Sequence, residues 1–407
     1  MPLKPYYTSD DLIAAVQRKI AIPINQRTFL NEDILAFANE EMMISQVPDI
    51  LLYHQEYFVH SEDVALEDGV SRYPIPERAL GQKLRDLFYV DTNDNIFEMV
   101  RVNSNDKAYF QKESGIMQKY YIEGNDIVLV PENISNPTGS LRFSYFLRPN
   151  QLVPNERAAI VSSFFKEVTL SNANIVAGDT ITIGNIIFTA VASGAGAKQF
   201  NIGASSTITA TNLATSISTE GTYSASNGSP ASALVTITSN DVETAVTTSN
   251  STGFSISSSV GIQFTSTLPT HIVDGINIDF LQTKSGHKTL AMAVNLPTNS
   301  VSDDSITLSS SVIPTNIVVG DYICQEYECI IPQIPSDLHS GLAERVCGRI
   351  LAAQGDMQGL QMVAGKLQQV QSAEGTILNN RVEGSTQKIT QNKGPLAWLR
   401  MRNRGGF

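Results

Sequence analysis

The residues with the most potential for chemistry in this sequence are three cysteines and five histidines. Cys324 and Cys329 lie five positions apart on a predicted strand. We therefore expect their side chains to point to opposite faces of the sheet, where they cannot share a metal ion. Together with Cys347 they are too few and too irregular for a disulfide framework, which fits a protein made in a reducing cytoplasm. We therefore interpret the cysteines as small buried residues.

The histidines are scattered along the chain and form no i, i+4 helical pair of the kind found in metalloproteases. No nucleophile motif lies near them. His339 stands at the start of a predicted helix, where we expect a packing or interface residue. The full set is His54, His60, His271, His287 and His339.

Acidic stretches are the remaining candidates for ion binding, but acidic loops are more often simply solvated than bound to calcium. A Gly-rich segment, residues 194–197, lacks the Lys-Ser/Thr of a phosphate loop. We therefore predict no enzyme activity, no cofactor and no metal site. The acidic positions are Glu62, Asp63, Glu67, Asp68, Asp303 and Asp304.

The strongest candidate for a binding element is the C-terminal segment, residues 381–407. It holds six basic residues against Glu383, so it contributes +5 to a chain of net charge −12 and leaves −17 on the rest. A positive arm on a negative body suits docking onto a partner or a neighbouring copy, with Trp398 and Leu399 as apolar anchors. The predicted binding residues are Arg381, Lys388, Lys393, Trp398, Leu399, Arg400, Arg402 and Arg404.

Composition limits the remaining possibilities. A chain of 407 residues predicts two or three domains. No apolar run reaches the roughly 18 residues of a membrane helix, and the N-terminus has no signal-peptide core. We therefore expect a protein with no membrane contact. The negative body disfavours a general DNA-coating protein, which needs a basic face.

The elements that must position a binding site follow from the apolar periodicity. Helical patterns occupy residues 1–55, with Ser9 and Asn31 near two helix starts. Short apolar runs separated by turn residues then predict a β domain, residues 56–151, of antiparallel sandwich or barrel type. Ser336 or Asp337 starts a pair of C-terminal helices, residues 336–380. Their glycines either admit a closely packed helix or are merely tolerated.

A compositional change marks an inserted module at residues 172–258, which has only five charged residues among Ser, Thr, Ala, Gly and Asn. Alternating runs such as residues 180–183 and 234–238 predict folded β structure, and residues 207–219 predict one covering helix. The strand at residues 158–165 is expected to stop at the insertion. The flanking residues 152–171 and 259–335 then form a second β domain. The predicted class is α+β, with terminal helical segments packed together, an antiparallel β-sandwich or barrel middle and an inserted small β domain.

Four short sequence phrases follow one another along the chain: residues 73–79 (YPIPERA), 145–153 (YFLRPNQLV), 320–323 (GDYI) and 334–339 (IPSDLH). Together, and in this order, they resemble the head-to-tail adaptor proteins of tailed bacteriophages, also called connector or ring proteins. The inserted module separately resembles a β module of phage structural proteins through residues 178–183 (GDTITI), 188–190, 200–203 and 210–214. Most adaptors are shorter and mainly helical, so this chain departs from them in its large β portion.

The resemblance implies a structural virion protein in the neck between capsid and tail. It implies a ring of this chain, commonly a dodecamer, that lies below the portal protein, joins head to tail and extends the DNA channel. The implied partners are the portal protein and other tail or ring proteins, with DNA passing through without specific binding. The negative body independently suits a channel wall along which DNA slides.

Two other classes remain open. One is a receptor- or carbohydrate-binding virion protein with the module as its binding head, which predicts exposed aromatic residues there. Phe188, Phe200, Tyr223 and Phe254 are instead mostly placed as core residues. The other class is a glycan hydrolase, which needs two carboxylates about 5 to 10 Å apart. No pair in the sequence has priority for that role.

Overall fold

The computed structural model describes residues 7–20, 29–54, 56–106, 119–131, 137–228, 231–281 and 291–378. Over these residues the chain is a mixed α/β protein with several antiparallel sheets and a few helices. None of the described sheets closes into a barrel, so the barrel alternative does not hold for this part of the chain. No helix in these ranges is long and apolar enough to cross a membrane.

The N-terminal part is helical. Helices α1 (Ser9–Ile20) and α2 (Asn31–Glu41) each bury one apolar side, and a π-helical turn (Met42–Gln46) joins α2 to α3 (Val47–Tyr53). The cap of α2 differs from the expected Asn31 cap. The N-cap position is Leu30, whose backbone N–H donates to Asp33 Oδ2 at 2.8 Å. Asp33 thus stabilises the helix start from inside the first turn.

Two four-stranded sheets follow, with orders β1-β8-β3-β4 and β2-β7-β6-β5. Both sheets contribute side chains to one apolar cluster that includes Tyr73, Leu87, Leu129 and Phe143. The strands of this region are β1 (Val59–Ala65), β2 (Arg72–Pro74), β3 (Ala79–Val90), β4 (Ile96–Glu98), β5 (Val100–Arg101), β6 (Lys119–Glu123), β7 (Asp126–Val130), β8 (Ser140–Leu147) and β9 (Gln151–Leu152).

The next part contains the module, the flanking strands and one helix, α4 (Ser206–Glu220). Its strands are β10 (Ala159–Leu170), β11 (Thr180–Ile183), β12 (Ile186–Val191), β13 (Gln199–Asn201), β14 (Ser224–Ser226), β15 (Leu234–Ser239), β16 (Val246–Thr248), β17 (Phe254–Ile256) and β18 (Ser259–Phe264). After the module come β19 (Asn277–Leu281), β20 (Ala291–Pro297), β21 (Ser300–Val301), β22 (Ser305–Ser309), β23 (Tyr322–Gln325) and β24 (Glu328–Cys329).

Strand β10 does not stop where the sequence predicted. It runs on to Leu170, and both of its neighbours change along its length. Its first half pairs with β23 and β18, whereas its second half pairs with β15 and β17 of the module. Val161 and Phe164 accordingly belong to the core of the flanking strands, and Val168 and Leu170 to the core of the module. The module therefore shares a strand with its host sheet.

Gly261 explains how β18 can lie beside β10. A Cβ atom at this position would overlap the ring of Phe165, which covers the strand there. Only a residue without a side chain lets the two strands pair at that point. Beyond this contact, the module has its own sheet of order β13-β12-β11-β16, which α4 covers with Leu213 and Ile217.

The C-terminal helices α5 (His339–Gln354) and α6 (Met357–Ile377) complete the described chain. Gly355, at φ 75°, ends α5 in the left-handed conformation, as the sequence predicted for a helix stop. Side chains from α1, α2 and α5 share one apolar cluster, represented by Leu12, Ile34 and Leu342. Residues of β9, β23 and β24 belong to the same cluster, so the helices rest directly on the β structure.

Candidate functional site

All eight predicted binding residues lie outside the described residues: Arg381, Lys388, Lys393, Trp398, Leu399, Arg400, Arg402 and Arg404. The description ends at Leu378, which is buried in the helical cluster and whose N–H donates to Glu374 O at 2.8 Å. The structure therefore describes the chain up to three residues before the basic segment, including the surface of α6.

Helix α6 lies along α5 through glycines. A Cβ on Gly348 would sit 3.5 Å from both Val363 and Leu367 of α6, an ordinary packing distance. At Gly341 a Cβ would overlap the carboxylate of Glu374. Close helix packing thus accounts for Gly341, which the sequence did not single out. At Gly348, Gly359 and Gly365, the glycines for which two explanations were open, no close approach of another helix requires glycine.

A buried ion pair holds the far end of α6. Arg345 Nη2 of α5 donates to Glu374 Oε2 of α6 at 2.8 Å, and its distance to Asp49 Oδ2 of α3 is 3.4 Å. The Arg345 and Glu374 side chains are only 6% and 10% exposed. Because a buried charge that loses its partner is strongly destabilising, this contact ties three helices together.

The opposite side of α6 faces solvent and carries almost no charge. Lys366 and Glu374 are the charged residues of this 21-residue helix, and Glu374 is buried. Met357 and Met362 are 66% and 71% exposed, and no atom lies within 4 Å of a Cβ placed on Gly365. We define the outer face of α6 as the exposed residues Met357, Gln361, Met362, Ala364, Gly365, Lys366 and Gln368, among which Lys366 carries the single charge.

Exposed apolar residues also occur on the neighbouring N-terminal helices. Ile44 and Leu52 are 64% and 70% exposed, and Tyr53 is 42% exposed. The Tyr53 hydroxyl lies 3.6 Å from a Cβ placed on Gly375, so α3 reaches the C-terminal end of α6. Exposed methionines and aromatic residues on helices that carry few charges are typical of surfaces that another protein covers.

A second polar cluster lies between the β regions, with Arg78, Asn150 and Asp279 buried at its centre and Asn295 exposed at its edge. Arg78 Nη2 donates to Asp279 Oδ1 and Oδ2 at 2.9 and 2.8 Å, and Arg78 Nη1 donates to Asn150 Oδ1 at 2.7 Å. Asn295 Oδ1 accepts from Arg78 Nε at 3.0 Å. The guanidinium carbon also lies 3.9 Å from the centre of the Tyr327 ring. We call these five residues the buried lock.

The buried lock joins parts of the chain that are distant in sequence. Arg78 precedes β3, Asn150 precedes β9, and Asp279 lies on β19. The backbone N–H of Asn150 also donates to Gln333 Oε1 at 2.6 Å, which extends the network toward α5. Burial raises the pKa of the Asp279 carboxyl above its usual value, while the Arg78 charge and the Asn295 N–H oppose that rise.

We did not predict this network from the sequence, although two of its residues lie in segments that carry the adaptor resemblance. Arg78 lies within the YPIPERA phrase and Asn150 within the YFLRPNQLV phrase, two of the four phrases that carry the adaptor resemblance. An arginine that lies between a proline pair and an apolar strand is a candidate for burial together with an acidic partner. Its carboxylate partner, 201 residues away, cannot be chosen from sequence.

The cysteines are buried free thiols, as predicted, but their expected opposite orientation is wrong. Cys324 lies on β23 and Cys329 on β24, with a turn between them at Tyr327, whose φ is 66°. Both side chains therefore reach the same helical cluster. Burial raises the pKa of both thiols, which leaves them unreactive.

His339 is a buried packing residue, as the sequence predicted. Its Nε2 atom lies 3.2 Å from both Pro332 O and Ile334 O, and its ring lies 5.2 Å from that of Tyr7. Burial lowers the pKa of the imidazole to about 4. The ring is thus neutral near pH 7, where its Nε2–H can donate to these carbonyls.

Most of the acidic candidates have protein partners. Asp63 Oδ1 accepts from Arg142 Nε at 2.7 Å, Glu62 accepts from the Tyr145 hydroxyl at 3.2 Å, and Asp304 accepts from Gln263 Nε2 at 2.7 Å. Over the ranges that the structure covers, no group of three His, Cys, Asp or Glu side chains could hold a metal ion.

The module aromatics are core residues, as the sequence placed them. Phe188, Phe200 and Phe254 are at most 1% exposed, and Tyr223 is partly buried. Their rings are therefore not available for stacking on a sugar, so sugar binding by the module would have to rest on hydrogen bonds alone. A scan of protein-family models finds no matching family, and a search of curated proteins finds no match.

Proposed function

We propose that this chain is a structural virion protein that forms a ring below the portal, joins head to tail and extends the DNA channel. In this proposal the terminal helices form the platform of the ring, and the β regions below them, a sandwich followed by the module-bearing sheet, form its body. The chain then acts by assembly, with no catalytic step.

The observation that carries the proposal is the outer face of α6. A solvent-facing helix of 21 residues normally carries many charges, whereas this face offers Met, Gln, Ala and Gly with the single charge of Lys366. Gly365 leaves room for a second backbone to approach closely. The surface is therefore suited to a second copy, and repeated contacts around a closed ring add up.

Two further features support the assignment. The basic segment, with its net charge of +5, follows α6 in the sequence after a gap of three residues. The rest of the chain is acidic, which suits a channel that lets DNA pass without adhesion. The buried lock also supports the proposal, because it connects both β regions to the segment that leads into α5 and so holds the body rigidly to the helices.

Negative-stain imaging of the purified protein mixed with its portal tests the proposal. We expect rings of this chain stacked coaxially on portal rings. Single copies scattered among bare portals at near-physiological salt would refute the proposal.

A further inference from the structure

The module carries a cleft of about 370 Å³ that the proposed function does not use. One wall is a face of α4 that presents Asn212, Thr215 and Thr219. The other wall is the segment that leads from β12 into β13, residues 195–201. Lys198 and Glu220 also line the cleft, with Nζ 3.8 Å from Oε1.

The loop wall is held in shape by its own side chains. Asn201 Oδ1 accepts from the Ala195 N–H at 3.0 Å, and Gln199 Oε1 accepts from the Gly196 N–H at 3.0 Å. Across the cleft, Asn212 Nδ2 donates to Asn201 O at 2.8 Å. Each of these side-chain amides uses either its oxygen or its NH2 group in these bonds. The other group remains available to bond to a ligand. The cleft is therefore preorganised.

Lys198 occupies the most unusual position in this wall. Its φ of 57° lies in the left-handed region, which is unfavourable for a residue with a Cβ atom. Glycine would adopt this conformation without strain, yet the chain has a lysine whose side chain is 51% exposed. Strained residues of this kind cluster at binding sites, where the strain places a needed side chain.

The mixed lining suits a ligand that is polar and carries no net charge. Glu220 disfavours an anion, Lys198 disfavours a cation, and an apolar ligand would leave the hydroxyl and amide groups unsatisfied. Hydroxyl groups donate and accept, so they can bond to an ammonium, a carboxylate, an amide and a threonine hydroxyl together. We propose that this cleft binds a neutral saccharide. The inference goes beyond the proposed ring function and does not depend on it.

Saturation-transfer NMR on the full-length protein tests the site with three probes: maltotriose, tri-N-acetylchitotriose and inorganic phosphate. We expect saturation transfer to at least one of the two sugars, with inorganic phosphate failing to compete. Thr215→Val and Lys198→Gly should each weaken sugar binding about tenfold, because each removes a hydrogen-bonding group. Lys198→Gly should also keep or raise the melting temperature, since it relieves the strained φ.

Thr211→Val is the matched control. Thr211 lies one turn before Thr215 on the same helix, and both hydroxyls donate to the carbonyl four residues earlier, at 2.9 and 2.8 Å. Thr211 does not line the cleft, so this variant should bind sugar like the parent chain. The inference is overturned by no transfer to either sugar, by displacement of sugar with phosphate, or by unchanged binding in Lys198→Gly. All measurements use the chain without portal, so they stand apart from the ring assay.

Discussion

Arg78 and Asp279 are 201 residues apart in sequence and meet inside the protein through two hydrogen bonds of 2.9 and 2.8 Å. Their side chains are 2% and 0% exposed. A charge pair so far from water is stable only when its remaining hydrogen-bonding groups are also satisfied. Asn150 and Asn295 supply those bonds, so the pair acts as a joint between the β regions.

Removing one partner of the Arg78–Asp279 pair should therefore destabilise the fold strongly. We expect Arg78→Ala to lower the free energy of unfolding by about 3 to 5 kcal/mol, because it leaves the Asp279 carboxyl buried without its partner. Urea unfolding followed by circular dichroism measures the change. The control is Arg142→Ala, which removes the partly exposed pair with Asp63 and should cost less than about 1 kcal/mol. Equal losses in the two variants would disprove the role of the joint.

The pH dependence of stability should report on His339. Its pKa falls from 6.5 in the unfolded chain to about 4 in the folded protein because it is buried. Between these values the unfolded chain binds the proton more readily, so stability is full above pH 6.5 and declines as pH falls. This residue accounts for a loss of about 3 kcal/mol by pH 4. Chemical unfolding at several pH values should show a smaller acid loss in His339→Gln, and parallel curves would contradict the assignment.

The shared strand β10 changes how the module can be removed. Deleting residues 172–258 strips both neighbours from the second half of β10 and exposes Val168 and Leu170, which are buried in the module core. Deleting residues 168–256 with a Gly-Gly link joins Glu167 to Ser257, whose N–H already donates to Glu167 O at 2.9 Å. We expect the longer deletion to melt cooperatively and at a higher temperature than the shorter one. A longer deletion that fails to fold would show that the module is an integral part of the host sheet.

The basic segment can be tested separately from the fold. Truncation after Asn380 should abolish portal binding while the melting temperature of the body stays the same, because the segment follows the last described residue of the helical cluster, Leu378. Trp398→Ala alone should weaken portal binding by about 2 kcal/mol if this ring is a central anchor. Surface plasmon resonance on immobilised portal gives both values. Undiminished affinity after truncation would leave the segment with only a passive role along the channel.

Local signals predicted much of this fold. Apolar stripes located the helices and alternating runs located most strands, because both depend on neighbouring residues. The expected helix starts at Asn31 and at Ser336 or Asp337 were less accurate, since the N-cap positions are Leu30 and Leu338. The full length of β10 was not predicted, because residues 166–170 have no strand pattern of their own. They become part of the strand by pairing with β15 and β17. The common orientation of Cys324 and Cys329 was missed because the turn at Tyr327 has no glycine to mark it.

Only part of the candidate surface could be predicted from the sequence. The low charge of α6 can be read from its residues, but which side α5 covers depends on the positions of Gly341 and Gly348 in three dimensions. The buried lock was invisible for a similar reason. Long-range pairing of one arginine with one of many carboxylates is a property of the assembled fold, and no local pattern encodes it.

The outer face of α6 carries the central claim, and Gly365 offers the most direct test of it. Gly365→Ala should stabilise the helix by about 1 kcal/mol and keep the ring, because alanine is still small. Gly365→Trp should fold equally well, since no atom lies within 4 Å of a Cβ there, but it should block a second copy. Mass photometry with portal is predicted to show ring-sized complexes for the parent chain and Gly365→Ala, and none for Gly365→Trp. Ring-sized complexes of Gly365→Trp at the parent level would contradict the account.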